Sequence, residues 1–128
     1  MKQKKTVEDY LKAVYVLQKQ NGVARSSGVA DLLEVSRPTV CACIKELVRE
    51  GYLEMDTAHQ IHLTPAGQRI ARATYERHQT FLRLLIKLGV DEKTAAQDAC
   101  RMEHAVSAKS YRALRALEQR PLEEENHE

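Results

Sequence analysis

The chain is poor in the residues that large aromatic cores and disulfide frameworks require. Among its 128 residues there is no tryptophan, one phenylalanine and three cysteines, an odd number that argues against a secreted disulfide scaffold. No apolar run approaches the roughly 20 residues of a membrane-spanning helix. The basic segment 1–5 is followed by amphipathic sequence and not by the apolar stretch of a signal peptide. We therefore expect a helix-rich protein that works in the reducing cytoplasm without a membrane partner.

Acidic side chains are concentrated at the end of the chain and are scarcer in its body. The last eight residues contain four of the 18 acidic side chains and none of the 20 lysines and arginines, which leaves residues 1–120 with a net charge of about +6. A basic body of this kind suits a nucleic-acid partner, although many soluble domains share the balance. The segment 121–128 is predicted to be a disordered, solvated acidic tail.

The order of predicted elements in the first 72 residues is that of a winged helix-turn-helix. In chain order we predict three helices, a hairpin of two strands and a long helix, at about residues 7–21, 28–33, 37–50, 52–55, 60–63 and 65–88. Thr6 and Ser36 have the positions of N-caps. Val29, Leu32 and Leu33 are expected to face the core. A hairpin directly after a candidate recognition helix is typical of a wing.

Beyond the hairpin the sequence predicts only helices, the last two at about residues 92–105 and 108–120. Asp91 and Ser107 are their predicted N-caps. We therefore expect a mainly α-helical chain with a DNA-binding domain at residues 1–72 and a helical domain at residues 73–120. The long helix continues as an apolar stripe beyond the winged unit, through Leu88. This surplus apolar surface predicts that the helical domain also forms a homodimer interface.

The DNA-reading surface is expected on the first turns of the third helix, which a winged helix-turn-helix places in the major groove. Its exposed positions are Ser36, Arg37, Pro38, Thr39, Cys41, Ala42 and Lys45. Arg37 suits a guanine edge or a phosphate, and Arg25 precedes the second helix, where such proteins contact the DNA backbone. His59 at the wing tip is expected to reach a minor groove. Such residues are common on any exposed surface, so the double-stranded DNA partner is inferred from the whole arrangement.

One predicted helix carries three different potential metal ligands on one face. Cys100, Glu103 and His104 are three and four residues apart, so a thiolate, a carboxylate and an imidazole point the same way. The alternative is a buried cysteine beside two solvated side chains, and the spacing alone does not choose between them. Two other pairs are expected to diverge: Cys41 and Cys43 on their helix, which rules out one ion between them, and His59 and His62 on the hairpin, where we do not expect zinc.

Five motifs follow one another along the chain: Glu8-Asp9-Tyr10-Leu11, Ser36-Arg37-Pro38-Thr39-Val40, Leu63-Thr64-Pro65-Ala66-Gly67, Arg77-His78 and Ala99-Cys100-Arg101-Met102-Glu103-His104. In this order, over about residues 6 to 118, they resemble the diphtheria toxin repressor and manganese transport regulator (DtxR/MntR) family. The resemblance implies a homodimeric, metal-activated transcriptional regulator, most often a repressor of metal-uptake genes. Its effector is then ferrous iron or manganese.

The resemblance also implies the ligands and the mode of action. Asp9 joins Cys100, Glu103 and His104 in one site, and His78 matches a histidine of the family's second metal position. The helical domain thus becomes a metal-binding and dimerisation domain. Because the ligands come from both domains, the ion is expected to stabilise the DNA-competent arrangement of the chain. The two recognition helices then match successive major grooves of a palindromic operator.

Some positions depart from both branches of the family. Lys12 and Cys100 stand where the manganese branch has carboxylates, and Leu82 and Ala96 stand where the iron branch has ligands of its second site. We therefore predict one divalent ion per subunit, Mn²⁺ or Fe²⁺, with the Lys12 ammonium near the place of a second cation. Ala42 stands where some members have a base-contacting glutamine, so the operator preference does not carry over.

Two other functions use the same residues. A winged-helix regulator that senses an oxidant through Cys100 is the alternative; there Cys100→Ser abolishes the response and Asp9→Ala does not. An enzyme needs Cys100 and His104 as nucleophile and base, but the sequence offers no Gly-rich loop, oxyanion hole or third orienting group. We therefore expect no enzymatic activity.

Overall fold

The computed structural model describes residues 3–120, which form six helices and one two-stranded hairpin. In chain order the elements are α1 (Lys4–Asn21), α2 (Ser26–Leu33), α3 (Arg37–Arg49), β1 (Leu53–Met55), β2 (Ile61–Leu63), α4 (Pro65–Lys87), α5 (Glu92–Ala105) and α6 (Ala108–Glu118). The contacts divide the chain into unit 1, Met1–Thr74, and unit 2, Tyr75–Glu128. A mainly helical chain with an N-terminal winged helix-turn-helix is thereby confirmed. The predicted acidic tail lies outside the described residues.

Unit 1 has one apolar core to which each of its helices and strands contributes. Its members include Leu11, Val14, Val29, Val40, Ile44, Leu47, Leu53, Ile61 and Ala71. The strands β1 and β2 pair antiparallel, with Leu53 opposite Leu63. The Ile61 N–H donates to the Ala24 carbonyl at 2.8 Å, and Gln18 Nε2 donates to the Ile61 carbonyl at 3.2 Å. The hairpin is therefore attached to the helical part of unit 1 as well as paired with itself.

Three of the predicted N-caps are confirmed. Ser36, Asp91 and Ser107 each accept a hydrogen bond from the backbone N–H three residues later. These bonds satisfy donors that the first turn of a helix leaves without an intrahelical partner. The bonds from Thr94 also hold the pKa of the Asp91 carboxyl below its usual value. The sequence therefore fixes the start of α3, the candidate recognition helix, and of α5, which carries most of the predicted metal ligands.

Two predictions about the helices of unit 1 are wrong. Helix α1 begins at Lys4, before the predicted cap Thr6, and its N-cap residue Gln3 makes no side-chain cap bond. No glycine or proline interrupts this stretch, so the residues before Thr6 continue the helix. Leu32 is 46% exposed, whereas Val29 is fully buried. The buried residues of α2 are Val29 and Ala30. On a helix, Leu32 lies on the opposite side of Val29 from Ala30, so it faces away from the core.

In unit 2 the second half of α4 is joined to α6 through an aromatic contact, an ion pair and a hydrogen bond to the backbone. Phe81 is fully buried and meets the Tyr111 ring edge-on, with 5.8 Å between the ring centroids. Arg83 donates through Nε and Nη2 to the Glu118 carboxylate at 3.1 and 3.3 Å, and Lys87 Nζ donates to the Glu118 carbonyl at 2.8 Å. Because Glu118 ends α6, these cations oppose the negative charge that accumulates at a helix C-terminus.

Among the described residues of unit 2, the exposed large apolar side chains lie near the end of α4 and on α6. Leu88 is 73% exposed, and Ile86 and Leu117 are also exposed. The surplus apolar surface predicted near Leu88 is therefore present. Among the described residues, no helix combines the length and the apolar character needed to cross a membrane.

Candidate metal centre

Within unit 2, α4 and α5 bring three potential metal ligands together. His78 Nδ1 lies 3.0 Å from Glu103 Oε1. One ligand atom from each of His78, Cys100 and Glu103 lies within 4.8 Å of the other two. His78 belongs to α4, whereas Cys100 and Glu103 belong to successive turns of α5. The three-residue spacing on α5 therefore directs the thiol and the carboxylate to one place, as the sequence predicts.

Glu103 is a buried carboxylate that contacts two histidines, His78 and His104. Its side chain has no exposed surface, and its second oxygen, Oε2, lies 3.3 Å from His104 Nε2. The His104 side chain is itself only 7% exposed. A buried carboxylate is costly unless its charge is compensated and its oxygens are hydrogen-bonded. The imidazoles of His78 and His104 supply these partners, one at each oxygen.

Arg77 on α4 holds the backbone around Glu103. Arg77 Nη1 donates to the carbonyls of Glu103 and Val106, at 3.1 and 2.8 Å, and its guanidinium carbon lies 4.9 Å from the centroid of the Tyr111 ring. The carbonyls of the last turn of a helix have no intrahelical partner. Arg77 supplies a charged donor to this end of α5 and so fixes the turn that carries the ligands.

Arg77→Ala is expected to lower the free energy of unfolding by about 2–4 kcal/mol, because it removes two charge-assisted hydrogen bonds and a cation–π contact. The measurement is the shift in the midpoint of urea unfolding. Arg101→Ala is the matched control on α5: the Arg101 side chain is 76% exposed and pairs with Asp98 at the surface. Its expected loss is below about 0.5 kcal/mol. Equal losses for the two variants would contradict the anchoring role of Arg77.

The donor atoms in unit 2 fit a divalent transition metal ion. Imidazole nitrogen, thiolate sulfur and carboxylate oxygen are all ligands of such ions, and a mixture of them binds manganese, iron, cobalt or zinc. The cation would also compensate the buried negative charge of Glu103. Cys100 is exposed, so the centre has access to solvent.

Four of the predicted ligands belong to unit 2 and one to unit 1. The four are His78, Cys100, Glu103 and His104. Asp9 lies on α1, where Lys5 Nζ is 3.5 Å from its carboxylate. Sequence reasoning reached His78 only through the family resemblance, because spacing on α5 carries no information about α4. It missed the structural role of Arg77, although the Arg77-His78 motif marked the place.

The predicted DNA-contacting residues all lie at the surface of unit 1. They are Arg25, Ser36, Arg37, Pro38, Thr39, Cys41, Ala42, Lys45 and His59. Cys43 is buried and shares a hydrogen bond with Tyr10, and the pKa of the Tyr10 hydroxyl is raised mainly by burial. The two thiols of α3 therefore point apart, as predicted. The first turn of α3 presents both polar and apolar groups for a groove.

The wing is a tight turn organised by Asp56. Its Oδ1 accepts from the N–H groups of Ala58 and Gln60, both at 2.9 Å, and its Oδ2 lies 2.8 Å from His62 Nε2. The hydrogen bond with His62, followed by that from Gln60, holds the pKa of the Asp56 carboxyl below its usual value. His59 is exposed at the tip with a left-handed φ of 63°. Sequence reasoning predicts a turn from Asp56 to His59 but misses the role of the Asp56 carboxylate, although an aspartate that opens a turn is a recognised signal.

A winged helix-turn-helix in a chain that also carries a histidine, cysteine and glutamate cluster defines a class of protein, the metal-responsive DNA-binding regulators. Two family models match this chain. Iron dependent repressor, N-terminal DNA binding domain, covers residues 3–61, and Iron dependent repressor, metal binding and dimerisation domain, covers residues 64–127. The chain therefore belongs to the iron-dependent repressor (DtxR/MntR) family of metal-dependent transcriptional regulators.

Named relatives agree with this assignment. The transcriptional regulator MntR of Escherichia coli O157:H7 is 36% identical over 114 residues, which are 89% of this chain and 74% of that protein. The diphtheria toxin repressor of Corynebacterium glutamicum is 32% identical over 110 residues, which are 85% of this chain and 48% of that protein. Both are transcriptional regulators, and neither is an enzyme by name. The predicted family is confirmed.

Solved structures share the fold. A manganese-dependent transcriptional repressor in complex with manganese aligns with a TM-score of 0.81 and 26% identity, over 90% of this chain and 53% of that chain. The manganese regulator SloR aligns with a TM-score of 0.78 and 28% identity, over 90% of this chain and 54% of that chain. The chain thus spans about half the length of these structures.

Proposed function

We propose that this regulator is a metal-activated repressor of metal-uptake genes, with Mn²⁺ or Fe²⁺ as its effector. The observation that supports the proposal most directly is the cluster of His78, Cys100 and Glu103 in a chain that also has a winged helix-turn-helix. A metal sensor needs donors that bind an ion reversibly and a surface that contacts DNA. A structural relative described as manganese-dependent and complexed with manganese supports the choice of ion.

Each proposed ligand has its own chemical role. Cys100 supplies a thiolate after losing its proton, and His104 and His78 supply neutral imidazole nitrogens. Glu103 supplies the buried carboxylate, which the protein holds in place before any ion binds. Asp9 supplies a second carboxylate from α1, as the family resemblance implies. A bound divalent cation supplies the positive charge that compensates these carboxylates.

The ligands are proposed to act on DNA binding through the two domains. Asp9 belongs to the DNA-binding domain, residues 1–72, and the other ligands belong to the metal-binding and dimerisation domain, residues 73–120. In one arrangement of the domains, all of these ligands would bind the same ion. Metal binding would then increase the population of that arrangement. We propose one ion per subunit, because Lys12 places an ammonium on α1 where the manganese branch has a carboxylate. Two tightly bound ions per chain in elemental analysis would contradict this stoichiometry.

The proposed DNA partner is a palindromic operator, bound by a cytoplasmic homodimer. Arg37 and Lys45 on α3 supply polar contacts to the major groove, and His59 supplies the wing contact. The exposed Leu88 and Leu117 supply apolar surface for a second subunit. Two copies of α3 related by a twofold axis then match two half-sites about one helical turn apart.

The effector is tested by titrating operator binding with Mn²⁺, Fe²⁺ and Zn²⁺ under anaerobic conditions, comparing wild type with Cys100→Glu. Wild-type protein is expected to bind DNA only with metal present. Cys100→Glu is expected to shift the preference toward Mn²⁺ over Fe²⁺ by about tenfold, since a carboxylate is a harder ligand than a thiolate. Fluorescence anisotropy of a labelled duplex gives both affinities.

Two variants separate this proposal from an oxidant sensor. Asp9→Ala is expected to abolish the metal response, whereas an oxidant sensor that uses only Cys100 keeps its response in this variant and loses it in Cys100→Ser. DNA binding by the wild type that is independent of all three metals would contradict the proposal.

A further inference from the structure

Arg25 and Asp56 hold the wing tip from two sides. Arg25 Nη1 donates to the carbonyl of Ala58 at 2.9 Å. Asp56 accepts the Ala58 and Gln60 N–H groups on its carboxylate, and its own backbone closes the turn by accepting from the His59 N–H and donating to the Gln60 carbonyl, each at 3.0 Å. The tip is therefore fixed through its carbonyls as well as its N–H groups.

The two residues before α2, Ala24 and Arg25, anchor the hairpin through hydrogen bonds. The carbonyl of Ala24 accepts from the Ile61 N–H at 2.8 Å, and the next residue, Arg25, bonds the Ala58 carbonyl. Strand β2 and the tip are thus bound by consecutive residues. One of the five N–H donors of the Arg25 guanidinium is therefore used to hold the wing tip.

His59 shows why the tip needs this support. Its φ of 63° is left-handed, a conformation that costs a non-glycine residue free energy and persists only where its surroundings enforce it. Its N–H bonds the Asp56 carbonyl, and its neighbours Ala58 and Gln60 bond Arg25 and Asp56. The backbone at His59, and with it the direction of the Cα–Cβ bond, is therefore held by bonds made on either side of this residue.

We propose that Arg25 and Asp56 are positioning residues of the wing: they hold His59 in the conformation that meets DNA, and Arg25 acts on DNA binding through the wing tip. This role differs from the contact with the DNA backbone that the sequence predicts for Arg25, and a double-mutant cycle separates the two. The inference rests on the proposed DNA-binding function, but its first test uses the protein without DNA, so the two can fail separately.

The first test is amide hydrogen exchange on the full chain without DNA. Arg25→Gln and Asp56→Ala are each expected to raise the exchange rates of the His59 and Gln60 amides by about tenfold, because both open the turn. Amides of α1 and α3 should keep their wild-type rates, which separates local opening from unfolding. The controls Arg49→Gln and Asp31→Ala make the same chemical changes at other exposed positions of unit 1. Unchanged exchange at the tip in Arg25→Gln overturns the proposal.

The second test is a double-mutant cycle on a duplex that the wild type selects, with Mn²⁺, from a random-sequence pool. Arg25→Gln is expected to weaken binding by about tenfold in the wild-type background but by less than about twofold in the His59→Ala background. The salt dependence of binding should keep its slope. Equal losses in both backgrounds, with a slope reduced by about one, would identify a phosphate contact and overturn the proposal. If the wild type selects no duplex, the proposed function fails, while the exchange test still decides the role of Arg25.

Discussion

Gly67→Ala is expected to lower the free energy of unfolding by about 3 kcal/mol or more. A Cβ at Gly67 would lie well under 3.0 Å from the Tyr52 carbonyl oxygen, a separation that real Cβ atoms essentially never show. That carbonyl accepts from the Thr64 N–H at 3.1 Å, and the Thr64 hydroxyl donates to the Gly51 carbonyl at 2.7 Å. The atom in the way is a backbone carbonyl that is held by a hydrogen bond, so it cannot move aside as a side chain could. The first turn of α4 must therefore separate from Tyr52, the residue before β1.

Gly28→Ala is the matched control for this prediction, since it makes the same substitution in another helix of unit 1. There the nearest atom to the added Cβ is the Leu17 Cδ1 at 3.3 Å, the end of a flexible side chain. Alanine also has a helix propensity about 1 kcal/mol better than that of glycine. The net change is expected to stay within about 1 kcal/mol, as measured by urea unfolding followed by circular dichroism. Similar losses at both positions would show that the Tyr52 backbone yields easily.

These two glycines show which part of the fold the sequence can predict. Element order depends on local patterns, so the hairpin after α3 and the cap at Ser36 follow from the sequence alone. The cap at Thr6 is wrong because a local signal for a helix start competes with the tendency of the preceding lysines to continue the helix. The motif that contains Gly67 stands out through resemblance, but the reason for the glycine is contact with Tyr52, which no local pattern connects to it.

The candidate metal centre likewise has a part that the sequence predicts and a part that it does not. The grouping of Cys100 with Glu103 follows from helical spacing, because residues three apart share a face. His78 comes from α4, and its distance from Glu103 depends on how the two helices pack. The anchoring bonds of Arg77 depend on that packing as well. Chemistry within one helix is therefore predictable, whereas ligands contributed by another helix require either a family resemblance or the structure.

Glu103→Gln is expected to abolish metal-dependent operator binding and to weaken Mn²⁺ binding by about 100-fold or more. The amide keeps the size of the carboxylate and its capacity for hydrogen bonds with His78 and His104, but it carries no negative charge. Calorimetry measures the loss of affinity. Thermal unfolding provides a second measurement, since an ion at 100 times its Kd stabilises the wild type by about 2.7 kcal/mol, and the variant should lose this gain.

Asp98→Asn is the control, because it makes the same chemical change on α5 at a carboxylate that pairs with Arg101 at the surface. It should leave metal binding and the stabilisation by Mn²⁺ unchanged. The free energy of unfolding of Glu103→Gln without metal then shows whether Glu103 serves as a metal ligand or as a packing contact between α4 and α5. Glu103→Gln is expected to stay within about 1 kcal/mol of the wild type in metal-free buffer, because the amide retains partners at both of its polar atoms. Full stabilisation of this variant by Mn²⁺ would show that the buried carboxylate serves the packing of α4 and α5 and does not bind the ion.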